Sequence, residues 1–310
     1  MLKSLVIGAT GYIGNVVAER LVQNGHTVLA GTRSEASADK LRKQGMEPVI
    51  ANIEQPESIV QILPEVDLVV YVAYAYNNEQ RAIEEMQSGT SHLTDILQAM
   101  SNSQKTFILT SGTGVVGDST DIVYDENTPF PETNSPITLM RRNLESEVCA
   151  AAKLGIRTIV LRPPTVYGRG GSFVVPRYLM DYALKHRESV YVEGTENNKR
   201  AAVHVDDLAD LFLLALEKAK AGELFNTAAE TGVRTIDIAE SISRAAGLGG
   251  HTRAVPLAES REIFGHWGVW WAQNNQCTGD KARKLLGWNP HRLSLLQDIE
   301  TGSYAPLPAR

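Results

Sequence analysis

The chain has 310 residues, 43% of them hydrophobic and 21% charged, with a formal net charge of −6 at pH 7. That length supports a large core and one or two lobes, and the composition is that of an ordinary globular protein. An acidic balance without a long like-charge run argues against general nucleic-acid or anionic-membrane binders, which need a basic surface. A small-molecule partner is therefore expected, with no nucleic acid and no membrane. The N-terminal apolar run is too short for a secretion signal, and no apolar stretch approaches the ~18 residues of a bilayer span, so a cytoplasmic location is expected. Cys149 and Cys277 lie far apart and form no metal-like cluster. Two free thiols and no metal site are expected.

Leu5-Val6-Ile7-Gly8-Ala9-Thr10-Gly11-Tyr12-Ile13-Gly14 reads as a buried strand followed by three glycines spaced by three. A helical stretch from Asn15 to Asn24 follows, closed by Gly25, and His26 to Gly31 reads as a second strand. Strand, glycine turn, helix, strand is the unit that sets a pyrophosphate on a helix N-terminus. Glu47 to Ile53 reads as a third strand, Pro56 to Leu63 as a short helix and Val66 to Ala73 as an apolar strand. A helix over Glu79 to Ser101 precedes the strand Lys105 to Thr110. A helix over Ile137 to Leu154, stopped by Gly155, precedes Arg157 to Arg162, which Pro163-Pro164 halts. Apolar strands alternating with helices predict a parallel sheet covered on both faces. Beyond Pro164 strands are expected to become rarer. Val203 to Ala219 has a helical run, and Leu224 to Asn226 reads as a closing strand.

The three glycines permit a tight turn, close approach to phosphate and close helix–strand packing. At the end of the second strand an acidic residue suits NAD ribose, whereas arginine suits the extra phosphate of NADP. Here the sequence is Gly31-Thr32-Arg33-Ser34. Arg33 offers a bidentate fork, and Thr32 and Ser34 offer hydroxyl donors. NADP is the expected cofactor.

Further landmarks are Thr110-Ser111-Gly112-Thr113-Gly114-Val115-Val116-Gly117, Arg162-Pro163-Pro164-Thr165-Val166-Tyr167-Gly168, Arg200 to Ala209 with His204-Val205-Asp206-Asp207, and Leu286-Gly287-Trp288-Asn289-Pro290. Together with the glycine triplet they resemble the extended short-chain dehydrogenase/reductase family, the NAD-dependent epimerase/dehydratase group, over nearly the whole chain. The resemblance implies an α/β Rossmann fold, a doubly wound parallel sheet with a smaller C-terminal substrate lobe. The dinucleotide-binding domain is expected over 1–165 and 201–228, and the substrate lobe over 166–200 and 229–310. It also implies that Gly8, Thr10, Gly11, Tyr12, Ile13 and Gly14 hold pyrophosphate, and that Asn52 and Ile53 lie near adenine. Ala73, Tyr74 and Ala75 would line the ribose side, with Thr110 at the end of the fifth strand and Pro163, Thr165 and Val166 beside the nicotinamide. His204 is expected to organise its loop. A homodimer through the helices over Glu79–Ser101 and Ile137–Leu154 is implied by the same resemblance.

The chain departs from that pattern at the proton chemistry. The family pairs a Tyr with a Lys four residues later on one helix face, so that the cation eases ionisation of the phenol. Aligned on Glu145 and Val148, those positions hold Ile137 and Arg141; aligned on Glu147, they hold Leu139 and Asn143. The hydroxyl position after the fifth strand falls on Gly112, flanked by Ser111 and Thr113. The candidate catalytic residues are thus Thr113, Ser111, Arg141 and Tyr167. Arg141 keeps a positive charge but cannot shuttle protons.

Residues Ser172 to Val190 and Ala254 to Gln276 are where the resemblance places the substrate pocket. Ile263 to Trp271 contains three tryptophans and His266, either an aromatic pocket or a core patch. The leading expectation is an NADPH-dependent oxidoreductase that reduces a carbonyl or imine of a small, fairly apolar molecule. The alternatives are an epimerase or dehydratase with retained cofactor, a catalytically silent NADP-binding sensor, and a non-redox lyase or isomerase.

Overall fold

The computed structural model describes residues 1–33, 35–73, 83–84, 93–133, 135–172 and 175–305, with backbone only at Glu35 and His266. The expectations for Ser34, Tyr74, Ala75, the His266 side chain and most of the helix over Glu79–Ser101 lie outside the described residues. Of that helix, 83–84 and 93–99 are helical.

Seven strands form one parallel sheet: β1 (Lys3–Ile7), β2 (Thr27–Thr32), β3 (Glu47–Ile50), β4 (Leu68–Tyr71), β5 (Thr106–Thr110), β6 (Arg157–Arg162) and β10 (Glu223–Asn226). Their order is β10-β6-β5-β4-β1-β2-β3. Side-chain alternation along β1 explains the layering. Leu5 and Ile7 face a core with Leu93, Leu97, Leu144 and Val148, while Val6 faces the opposite core with Ile13, Val17, Leu208 and Phe212. Both faces are buried, which is why these strands are continuously apolar in sequence. The strand order reverses between β1 and β4, and in such sheets the ligand crevice opens at the carboxyl ends of strands at that switch point.

The second half holds more strand than its sequence suggests. β7 (Thr165–Tyr167), β9 (Lys199–His204) and β11 (Glu230–Arg234) form a three-stranded sheet, and β8 (Ser189–Val192) pairs with β12 (Thr252–Val255). β9 therefore joins β7 and β11 rather than the large sheet. β7 has three residues, and the β11 pairing is interrupted by a register shift, so neither gives a clean alternation. The helix Val205–Lys218 returns to pack on the helix Tyr12–Gln23. A third core of Tyr167, Leu179, Ile238, Trp271 and Ile299 holds the late lobe together.

Candidate dinucleotide and substrate cavity

The glycine loop sits at the switch point. Gly8 has φ +96°, and a Cβ there would lie 3.0 Å from backbone atoms of Val72 and Ala73, just beyond β4. A Cβ on Gly14 would collide with the Gly8 carbonyl, so this glycine lets helix and loop pack closely. The Asn15 amide fixes the loop by donating to the Ala9 carbonyl at 3.3 Å and to Gln44 at 3.0 Å. Helix Tyr12–Gln23 starts at Gly11 with no side-chain cap and no acidic residue in its first turn. Its first N–H groups and positive dipole end are therefore available to an anion.

Around this loop lie the other cofactor candidates. Thr32 ends β2 and is buried, and Arg33 follows it, exposed to solvent. Asn52 is half-buried, with its side-chain oxygen accepting from the Glu54 N–H at 3.1 Å. The Tyr12 side chain does something the sequence did not suggest. Its hydroxyl donates to the Gly168 carbonyl at 2.8 Å, and Tyr304 accepts from the Gly168 N–H at 2.7 Å and donates to the Gly171 carbonyl. The C-terminal segment is thus tied to the loop behind the glycine turn.

A cavity of about 990 Å³ opens from Ile13 and Val72 across the ends of β5 and β6 to the late lobe. Thr110, Ser111, Gly112, Thr113, Pro163, Thr165 and Val166 form one wall, Ile137 and Arg141 another, and Arg261, Trp267 and Trp270 the far side. Thr110 Oγ1 and Thr165 Oγ1 are buried without a hydrogen-bond partner among the described residues, and their inaccessible oxygens do not open on the cavity. The glycine cradle, with uncapped first-turn N–H groups and positions that a Cβ would fill, fits the pyrophosphate of a dinucleotide.

Helix Pro136–Ala150 is capped by Ser135, which accepts from the Thr138 N–H. Residues 137, 141 and 145 share one face of it. Glu145 is clamped on Arg162 by three contacts of 3.0, 2.9 and 2.5 Å, both side chains buried. That pair binds the helix to the end of β6 and turns Ile137 and Arg141 into the cavity. Leu139 is 42% exposed and Asn143 is also exposed, so the alternative register is excluded.

Two candidate catalytic hydroxyls are committed elsewhere. Thr113 borders the cavity, but its hydroxyl donates to Asn275 Oδ1 at 2.5 Å, and the Asn275 amide returns to the carbonyls of Thr113 and Gly117, both at 3.1 Å. Tyr167 is corrected outright as a proton donor. It lies outside the cavity wall, donates to the Leu293 carbonyl at 2.7 Å and contacts Glu230 at 3.1 Å. Burial and the Glu230 carboxylate hold its phenol far above its ordinary range. Ser111 remains on the wall and is buried.

His204 caps helix Val205–Lys218 by accepting the Asp206 N–H on Nδ1 at 3.1 Å, which fixes its loop as expected. Burial lowers its pKa. The tryptophans divide: Trp267 and Trp270 line the cavity, whereas Trp271 is core. Arg200 runs beneath them, its guanidinium 4.4 Å from the Trp270 ring and 4.7 Å from the Trp271 ring. Cys149 and Cys277 are free. No helix among the described residues is long and apolar enough to cross a membrane.

The sequence profile of the NAD dependent epimerase/dehydratase family matches residues 4–228. An uncharacterised protein of Schizosaccharomyces pombe is 29% identical over 308 residues, covering 98% of this chain and 100% of its own. A 4-hydroxy-2-methyl-3-oxo-4-farnesyl-3,4-dihydroquinoline-1-oxide ketoreductase of Stigmatella aurantiaca is 24% identical, over 72% of this chain and 67% of its own. Among solved structures, UDP-glucose 4-epimerase of Thermotoga maritima with UDP-glucose superposes with a TM-score of 0.78 at 21% identity, covering 98% of each chain.

Proposed function

Because the chain belongs to the NAD-dependent epimerase/dehydratase family, we propose that it is an NADPH-dependent reductase of a carbonyl or imine on a small, fairly apolar molecule. The observation that carries this reading is a cavity that runs from Ile13, beside the glycine loop, past the ends of β5 and β6 to a wall of Trp267 and Trp270. The aromatic wall suits an apolar or planar substrate.

The first-turn N–H groups of helix Tyr12–Gln23 bind the pyrophosphate. Arg33 takes the additional ribose phosphate by charge-assisted hydrogen bonds, with Thr32 beside it. Thr110, Pro163, Thr165 and Val166 form the wall on the nicotinamide side. When bound, the reduced nicotinamide supplies a hydride. Arg141 contributes a fixed positive charge on the reacting side, binding cofactor hydroxyl oxygens without exchanging protons. Trp267, Trp270 and Val116 form the apolar wall against which the substrate lies. Ile137 has no proton to give, so the alkoxide left by hydride transfer to a carbonyl takes its proton from solvent water, and an imine enters as its protonated iminium.

The test is NADPH oxidation by the purified protein against a panel of aryl ketones, aldehydes and cyclic imines. Turnover on at least one class, with oxidised cofactor released, is expected. Conversion of substrate without cofactor release would instead mark an epimerase or dehydratase. A second reading, a silent NADP-binding sensor, is favoured by Ile137 alone; it predicts NADPH binding with no turnover on any member of the panel.

A further inference from the structure

Gly112 follows β5 with φ 177°, extended backbone that any residue adopts. Its conformation does not call for glycine, but a guanidinium lies close against it. A Cβ built there would lie 3.0 Å from Arg141 Nη1 and 3.6 Å from the Pro163 carbonyl oxygen. Gly112, Arg141 and Pro163 all border the same cavity.

The backbone on either side cannot yield to such a clash. Glu145, one turn beyond Arg141, is clamped on Arg162. The Thr138 hydroxyl donates to the Gly114 carbonyl at 3.3 Å, and Arg142 Nε donates to the Val115 carbonyl at 2.8 Å. The helix is thus fastened to the segment after Gly112 on both sides of Arg141. What gives is the guanidinium, the far end of the Arg141 side chain, by a few tenths of an ångström. A methyl at 112 would cost the fold little while shifting the guanidinium off its position.

We propose that Gly112 is a positioning residue for Arg141. The missing side chain at 112 is the seat that holds a broad, planar guanidinium on the cavity wall, and the two residues act as one cofactor-binding unit. An ammonium is a more compact group and would need no such seat. The inference rests on the reading that the cavity binds a nicotinamide dinucleotide, and it goes beyond that reading by assigning a function to an absent side chain.

The test is a double-mutant cycle on the full chain with Gly112→Ala, Arg141→Ala and the pair together. NADPH is titrated while the quenching of tryptophan emission is followed, with the unfolding temperature measured in parallel. Gly112→Ala should weaken NADPH binding about threefold to tenfold, part of the value of one hydrogen bond to a charged group, with the unfolding temperature unchanged. Arg141→Ala should weaken it as much or more. The double variant should bind no worse than Arg141→Ala, because the added methyl then has nothing to displace. Wild-type affinity in Gly112→Ala, or independent losses that multiply in the double variant, would overturn the inference while leaving the cofactor reading intact. Failure of the wild-type protein to bind NADPH would overturn both.

Discussion

Glu145→Ala tests the contact that turns Ile137 and Arg141 into the cavity. The Glu145 and Arg162 side chains are 3% and 8% exposed, and the contacts between them measure 3.0, 2.9 and 2.5 Å. Removing the carboxylate leaves a buried guanidinium without its charged partner, stacked 5.0 Å from the centre of the Phe130 ring. Breaking a buried pair in this way costs about 3–5 kcal/mol. At roughly 2–4 °C per kcal/mol for a large domain, the unfolding temperature should fall on the order of 10 °C. Thermal unfolding followed by circular dichroism reads this directly. Replacing both partners, Glu145→Leu with Arg162→Met, should recover most of the loss, because an apolar pair of similar volume requires no buried charge. A single variant that unfolds within about 2 °C of wild type, a shift of under ~1 kcal/mol, would refute the claim that this pair fixes the helix.

Thr113→Val removes the donor to Asn275 and should lower stability by about 1–3 kcal/mol, the cost of an unsatisfied buried oxygen, with NADPH affinity retained; an unchanged unfolding temperature would show that Asn275 finds another donor. His204 is held below its ordinary pKa by burial, and its neutral Nδ1 caps a helix. In the unfolded chain it takes up a proton that the fold resists, so stability should fall as pH drops below the ordinary histidine value of 6.5. Melting temperatures across that range should decline less steeply in His204→Asn; identical slopes would remove His204 from the account. We propose a homodimer through the helix Pro136–Ala150, whose outer face exposes Leu139; a monomer in sedimentation velocity would refute it.

The large sheet was legible because its strands are buried on both faces and read as apolar runs, Arg157–Arg162 to the residue. The glycine turn was legible because its spacing carries its geometry. The small sheets were not, since β7 is too short for a pattern and β11 breaks register. Sequence left two registers for the helix after β5, and the Glu145–Arg162 contact across the fold, with the exposure of Leu139 and Asn143, separates them. The tryptophan cluster looked like one feature, yet helical rotation sends Trp270 to the cavity and Trp271 to the core. The Tyr12–Gly168–Tyr304 ties join residues more than a hundred positions apart and have no local signal. Gly112 drew notice only as a missing hydroxyl; the space it leaves becomes visible once Arg141 is beside it.

The central claim is that this cavity holds a phosphorylated dinucleotide. Calorimetric titration of wild type and Arg33→Ala with NADPH and NADH, at one salt concentration, tests it most directly. Wild type should favour NADPH by about 10- to 100-fold, the equivalent of ~1.5–3 kcal/mol for hydrogen bonds to a charged group. Arg33→Ala should lose that preference and bind NADH as before. Comparable wild-type affinities for the two cofactors, or equal losses for both in the variant, would contradict the account.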